Sequence, residues 1–382
     1  MLKKTIRRLG ALAMVLAMAV SVFAVSASAV DSGAETPTEN QLSATLTKTV
    51  QKDANVYLPT VTFYFEASNG RQSGDTVATA PAVKDIFTKA TASSNTVAEI
   101  SFAPSDSDTL TETSVSKTAN IGIEESKVPL GVFYYDITEK ASNYDGMTDS
   151  TETKTFVIMK DVDGNVRYGF VVKNDAGEWV KSGNNVFTND YRKDDNTPKG
   201  PHDLILKKNV TGNAYNATLT YDFWVTITNA NGTEEWYNVV RTGNGGSTTE
   251  KIVAREKTKI TLAKDESVTI KGLSPNDTYI VEEKDYTTAA HKYSDPTATK
   301  KIGDSNATSL TLTKTEDTTN GGYTFKSSTE RMTAADNTVE VTNEKSFSTP
   351  GGVIMTIAPY ALMLVVAGAF AVVFLSRRNR AE

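Results

Sequence analysis

The chain has 382 residues, of which 39% are apolar and 23% charged, with no cysteine, two histidines and a formal net charge of −6. The missing cysteine excludes disulfides, zinc–thiolate centres and thiol nucleophiles, and two histidines 89 positions apart (His202 and His291) argue against a histidine metal centre or a Ser-His-Asp triad. An acidic balance is wrong for a nucleic-acid partner. What remains is a structural or binding protein that needs no cofactor.

In chain order, the first segment reads as an export signal. Met1 to Gly10 carries Lys3, Lys4, Arg7 and Arg8, an apolar run follows, and Ala27-Ser28-Ala29 is a small-residue cleavage site, predicting a signal peptide over 1–29. Residues 30–40 are polar and predict a disordered lead-in. From there to residue 346, Ser, Thr, Asn, Asp and Gly separate short apolar runs that alternate with period two. Thr60-Val61-Thr62-Phe63-Tyr64-Phe65, Thr155-Phe156-Val157-Ile158-Met159 and Thr220 to Ile227 are β-branched and aromatic, as strands are. Asp163-Gly164, between Val157–Val162 and Val166–Val172, predicts a β-hairpin, and so does Asn231-Gly232, between Trp224–Ile227 and Trp236–Val240.

The stretch 193–202 lacks a large apolar residue and reads as a linker between domains at 41–192 and 203–346, each large enough for its own core. Short strands, frequent turns and no long amphipathic stretch predict an all-β class of two tandem Ig-like β-sandwiches. Val353 to Leu375 is long and apolar enough to cross a bilayer, and the basic tail 376–382 would hold its end in the cytoplasm. Setting aside the four leader cations and the net two of the tail takes the charge from −6 to −12, an acidic, solvated surface.

The two halves repeat weakly. Leu46-Thr47-Lys48-Thr49-Val50 opens the first and Leu206-Lys207-Lys208-Asn209-Val210 the second. Tyr135 to Glu139 corresponds to Tyr279 to Glu283, and the halves close on Phe187-Thr188-Asn189 and Val341-Thr342-Asn343. Because strand side chains alternate faces, Lys48, Glu139 and Asn189 fall on the apolar face of their strands. So do Lys208, Glu283 and Asn343, and the same parity selects Lys208 over Lys207 and Glu283 over Glu282.

A buried lysine, glutamate and asparagine are costly unless they satisfy one another. Burial lowers the lysine pKa and raises that of the glutamate, favouring a neutral amine beside a protonated carboxyl. Such an amine is a nucleophile. The carboxyl can polarise the asparagine carbonyl and relay protons as ammonia leaves, giving a Lys–Asn isopeptide crosslink without an external catalyst.

On these residues the sequence resembles the Gram-positive major (backbone) pilins of the FctA or T-antigen type, built from CnaB-like isopeptide domains. The resemblance covers nearly the whole chain, and the segment Glu266 to Glu283 is its most specific single match. It implies crosslinks Lys48–Asn189 and Lys208–Asn343, with Glu139 and Glu283, each in a Tyr-x-x-x-Glu strand, catalysing bond formation. It further implies a sortase as partner, other copies of the chain joined head to tail, companion tip or base pilins and a host surface ligand. The expected location is the cell surface and wall, reached through a membrane-anchored precursor. Thr349-Pro350-Gly351-Gly352 stands where relatives carry a Pro-Thr-Gly sorting motif, so Gly351 occupies the threonine position. For the lysine that accepts the next subunit, Lys181 is the nearest match and Lys173 the second.

Other signals have simpler readings. Asp161-Val162-Asp163-Gly164-Asn165 suits a hairpin turn better than a calcium loop, and Gly243-Asn244-Gly245-Gly246 lacks the lysine of a phosphate cradle. The competing functional reading is a monomeric wall- or membrane-anchored adhesin or minor pilin. An extracellular enzyme would need a nucleophile elbow, metal cluster or carboxylate pair that the sequence does not offer.

Overall fold

In a computed structural model of the chain, residues 42–72, 79–107, 109–193, 200–242 and 250–346 are described, with four isolated positions near the C-terminus. The expected signal peptide, the lead-in, most of the linker, the sorting-motif-like segment, all but four positions of the membrane span and the basic tail lie outside the described residues. Among the described residues no helix is long and apolar enough to cross a membrane.

Period-two patterning produces the strands it predicts. The first sandwich runs β1 (Thr45–Lys52), β2 (Val61–Ala67), β3 (Arg71–Gln72), β4 (Thr96–Phe102), β5 (Ser114–Asn120), β6 (Gly131–Glu139), β7 (Thr153–Lys160), β8 (Val166–Lys173), β9 (Trp179–Lys181) and β10 (Val186–Tyr191). One sheet has the order β10-β1-β5; the other runs β4-β2-β6-β7-β8-β9, with β3 also on β6. Between them lie Phe63, Phe65, Phe102, Phe133, Tyr135, Phe156 and Phe187, all buried.

The outer face of the larger sheet is also partly covered: Val132, Tyr134, Val157, Met159 and Val171 lie beneath Leu42 and Trp179. The chain's entry crosses this face at Gly169, where a Cβ would stand 2.6 Å from that of Leu42 and 2.7 Å from the Ser43 carbonyl. Glycine is required there for the close approach of two backbones.

The second sandwich comprises β11 (His202–Thr211), β12 (Tyr221–Thr228), β13 (Trp236–Thr242), β14 (Glu250–Val253), β15 (Thr258–Leu262), β16 (Ser267–Leu273), β17 (Thr278–Lys284), β18 (Thr297–Ile302), β19 (Thr308–Leu310), β20 (Leu312–Glu316), β21 (Tyr323–Ser327), β22 (Glu330–Arg331) and β23 (Asn337–Glu344). Its sheets have the orders β14-β13-β16-β11-β23-β18-β19 and β15-β12-β17-β21-β20, with β22 on β17.

The expected all-β, tandem sandwich class is therefore what the chain adopts. One hairpin is as predicted: β7 and β8 pair antiparallel across Asp163-Gly164, Gly164 has φ +90°, and Asp161 accepts the backbone N–H groups of Asp163 and Asn165 at 3.0 and 2.9 Å. The second is not. β12 pairs with β15 and β17, whereas β13 pairs with β14 and β16 in the opposite sheet. Asn231-Gly232 thus reverses the chain between layers, and the inward faces of β12 and β13 meet across the core instead of lying side by side.

The feature that positions the chemistry is shared. In each sandwich the first and last strands are parallel neighbours, β1 with β10 and β11 with β23. The register is the same in both: Val50 faces Asn189 and Val210 faces Asn343, so each asparagine stands two positions beyond its lysine.

The sandwiches meet end to end through polar contacts. Tyr191 Oη contacts the Gly272 carbonyl at 3.2 Å and Ser274 Oγ at 3.0 Å, and Asn238 Nδ2 donates to the Asn55 carbonyl at 2.9 Å. Tyr144 donates to Glu235, a buried carboxyl that also accepts from Thr233, Asn229 and Tyr237.

Candidate functional site

Strand β1 is inward at alternate residues, Leu46, Lys48, Val50 and Lys52, and β10 at Phe187, Asn189 and Tyr191. The two strands are neighbours in the small sheet, so Lys48 and Asn189 point together into the core, and β6 of the opposite sheet brings Glu139 down onto them. Lys48 Nζ donates to Asn189 Oδ1 and lies 2.5 Å from Glu139 Oε2; Asn189 Nδ2 donates to Glu139 Oε1 at 2.6 Å. The lysine and glutamate side chains are wholly shielded from solvent, and Nζ sits 4.4 Å from the Phe63 ring centre. All three residues named from strand parity form one cluster.

The second sandwich repeats it. Lys208 Nζ donates to Asn343 Oδ1 at 2.7 Å, and Glu283 Oε1, from β17 in the facing sheet, lies 3.3 Å away. Tyr221 supplies the aromatic wall, 4.6 Å from Nζ. Lys207 is exposed, as parity requires, and Glu282 turns to the other face of β17, onto Lys257.

The electrostatics follow from dryness. Desolvation lowers Lys48 and raises Glu139, and the attraction between them only partly opposes this. Desolvation likewise lowers Lys208 and pushes Glu283 up to about 7, against the pull of Lys208. Both shifts move the pair toward free amine and protonated carboxyl, with a carbonyl carbon beside the amine.

A third lysine–carboxylate cluster shows what a wetter setting does. Lys257 lies 2.8 Å from Glu282 and 3.2 Å from Asp317, but its side chain is 27% exposed. Asn320 and backbone N–H groups hold the Asp317 carboxyl well below its usual range. Desolvation of Lys257 is outweighed by its hydrogen bonds to Glu282 and Asp317, and its pKa is raised. This cluster is an ion pair, with no free amine to attack.

Two groups on the Asn189 amide were not legible in the sequence. Ser150 N–H donates to Oδ1 at 2.8 Å, and Asp149 Oδ1 accepts from Nδ2 at 3.0 Å. Both come from the loop after β6, where no periodicity orients side chains. Lys52 was missed for another reason: it continues the inward parity of β1 but reads as a charged strand end. It is fully buried, and Nζ donates to the Glu112 carbonyl at 2.5 Å.

Of the two candidate acceptor lysines, Lys181 is exposed on β9, the edge of the larger sheet, and Lys173 is exposed at the end of β8, with Nζ 5.1 Å from the Trp179 ring. Neither joins the buried clusters. Thr349, Pro350, Gly351 and Gly352 lie outside the described residues.

The fold is that of two tandem all-β sandwiches. The likeness to Gram-positive major pilins holds in direct comparison: a curated pilin of Streptococcus pyogenes serotype M1 is 25% identical over 258 residues, spanning 65% of this chain and 68% of that one. The solved T3.2 major pilin protein of Streptococcus pyogenes aligns over 80% of this chain and 99% of its own, at 21% identity and a TM-score of 0.51. Another solved major pilin of that species matches the same share of this chain and 99% of its own, with 19% identity and a TM-score of 0.48. Residues 202–316 match a family described as a domain of unknown function (DUF7601).

Proposed function

We propose that the chain is a structural subunit of a cell-surface pilus shaft, each sandwich closed by an intramolecular Lys–Asn isopeptide bond and successive copies joined by a sortase. The observation that carries this reading is the repeated trio: a dry lysine and asparagine on parallel first and last strands, with a carboxyl from the facing sheet. Bond formation is self-directed and occurs once per site. Lys48 or Lys208 attacks the amide carbon of Asn189 or Asn343, Glu139 or Glu283 relays the proton, and ammonia leaves.

The location suits a load-bearing fibre. A pull on the two ends of a domain would shear its parallel first and last strands, and the crosslink bridges that pair. It joins positions 141 apart in one domain and 135 apart in the other. On the chain-entropy account of crosslinks, with disulfides as the guide, each closure stabilises by about 5 kcal/mol. It also needs no oxidant, which suits an exported chain without cysteine.

In this reading a sortase acts at Thr349-Pro350-Gly351-Gly352 and joins the new C-terminus to Lys181 of the next copy, while the span Val353 to Leu375 holds the precursor in the membrane. The mass of the residue 30–346 segment tests the crosslinks: two ammonia masses below the sequence value is expected, and an unshifted mass overturns them. Polymerisation is tested by boiling wall-released protein in detergent. A ladder of high-mass species supports it, and a single band instead supports the anchored monomeric adhesin.

A further inference from the structure

The loop between β6 and β7 grips the Asn189 amide on both sides. Ser150 N–H reaches Oδ1 at 2.8 Å, and Asp149 Oδ1 takes one hydrogen of Nδ2 at 3.0 Å while Glu139 Oε1 takes the other at 2.6 Å. Asp149 is itself held by Ser142, whose N–H and hydroxyl donate to Oδ2 at 2.9 Å and Oδ1 at 2.7 Å. Both amide hydrogens are therefore committed, and the amide plane is set with its oxygen toward Lys48 Nζ and the Ser150 N–H. Among the described residues, Asn343 Oδ1 accepts from Lys208 alone, with no backbone donor beside it.

We propose that the Asp149–Ser150 turn is an amide clamp for crosslinking in the first sandwich: Asp149 positions the leaving nitrogen, and the Ser150 N–H receives the charge that develops on Oδ1. The inference rests on the isopeptide reading above and assigns its electrophile side. Lys48, as the free amine, bonds to Cγ of Asn189 while the carbonyl electron pair moves onto Oδ1, where the Ser150 N–H meets it. The pair then returns, the Cγ–Nδ2 bond breaks, and the proton lost by Nζ passes through Glu139 to Nδ2, which departs as ammonia. Glu139 ends in its starting protonation state, and no co-reactant is consumed. Asp149 forms no bond; it keeps Nδ2 where Glu139 can protonate it, and misplacement of a reacting group by about 1 Å can cost about a hundredfold in rate.

The experiment follows pulse-labelled full-length chain, quenched into denaturant at successive times, digested, and assayed by mass spectrometry for the Lys48–Asn189 and Lys208–Asn343 crosslinked peptides. The second crosslink is the internal control. In Asp149→Ala the first should form at least about tenfold more slowly and the second at the unaltered rate. Asp149→Asn, which keeps an oxygen acceptor for Nδ2, should recover most of the loss. Ser150→Pro, which removes the N–H, should slow the first crosslink, and Ser150→Ala, which keeps it, should not. An unaltered first crosslink in Asp149→Ala overturns the positioning role, as do equal losses in Asp149→Ala and Asp149→Asn. Equal rates in Ser150→Pro and Ser150→Ala overturn the oxyanion donor. Absence of both crosslinked peptides from the unsubstituted chain is a different result and overturns the isopeptide reading itself.

Discussion

Replacing Glu283 by glutamine isolates the chemistry of the second sandwich from its packing. The side chain keeps its volume in a fully buried site 3.3 Å from Lys208 Nζ, but an amide cannot relay the proton that the lysine must lose. The domain should fold without its covalent link. The lost link closes 135 positions, so the unfolded state should gain entropy worth about 5 kcal/mol. Unfolding entropy of about 2.1 cal/mol/K per residue over roughly 140 residues makes this a fall of about 15 °C in the Tm of that domain. Calorimetry of the 30–346 segment, with intact mass on the same sample, checks both halves: the variant should lack one ammonia instead of two, and one transition should drop while the first domain's stays. A variant still lacking two ammonia masses would refute the role of Glu283. A fall of less than about 5 °C in a variant shown to have lost its crosslink would refute the loop-entropy account.

Other consequences are open to direct measurement. Lys52→Met keeps the buried stem but leaves the Glu112 carbonyl without its 2.5 Å donor, so the first domain should lose about 1–3 kcal/mol by denaturant unfolding; no loss would mean that water replaces the amine. Burial, with Asp277 adding to it, pushes Glu235 up to about 8, and burial pushes Asp277 up to about 6. Both carboxyls have unfolded values near 4, so from roughly pH 5 to 8, above the range where carboxyls held low in the fold such as Asp317 and Asp336 titrate in the unfolded chain, these two bind more protons when folded and their contribution to stability falls as pH rises. Thermal melts across that window should show the decline, with a shallower slope in Glu235→Gln; an equal slope in that variant counts against the assignment. Finally, Lys181→Ala should abolish the polymer ladder while Lys173→Ala leaves it, and a ladder unchanged in Lys181→Ala moves the acceptor elsewhere.

Parity placed six side chains correctly because a strand has a period of two, so one apolar neighbour orients every second residue. The same rule separated Lys208 from Lys207 and Glu283 from Glu282, and the structure puts the chosen member of each pair in the core. It failed where no period exists. Asp149 and Ser150 lie in a loop, and nothing nearby in sequence says that they reach Asn189, about forty positions on. Asn231-Gly232 was misread for a related reason: turn residues dictate that the chain reverses, but not which sheet receives the next strand. Here Phe223, Val225 and Ile227 on β12 and Tyr237 and Val239 on β13 are buried in the same core, and that sends the strands to opposite layers.

The sequence by itself thus determined the strand-rich class, the doubled Lys, Glu and Asn pattern and the face on which each member lies, because these are local properties of alternation and composition. Only the tertiary structure decided that first and last strands run parallel and adjacent, in a register that sets each asparagine two positions past its lysine. It also decided that a distant loop would hold one of the two amides. Those are contacts between residues more than a hundred positions apart, or at an unpatterned turn, and they exist only once the two sheets have closed over a dry core.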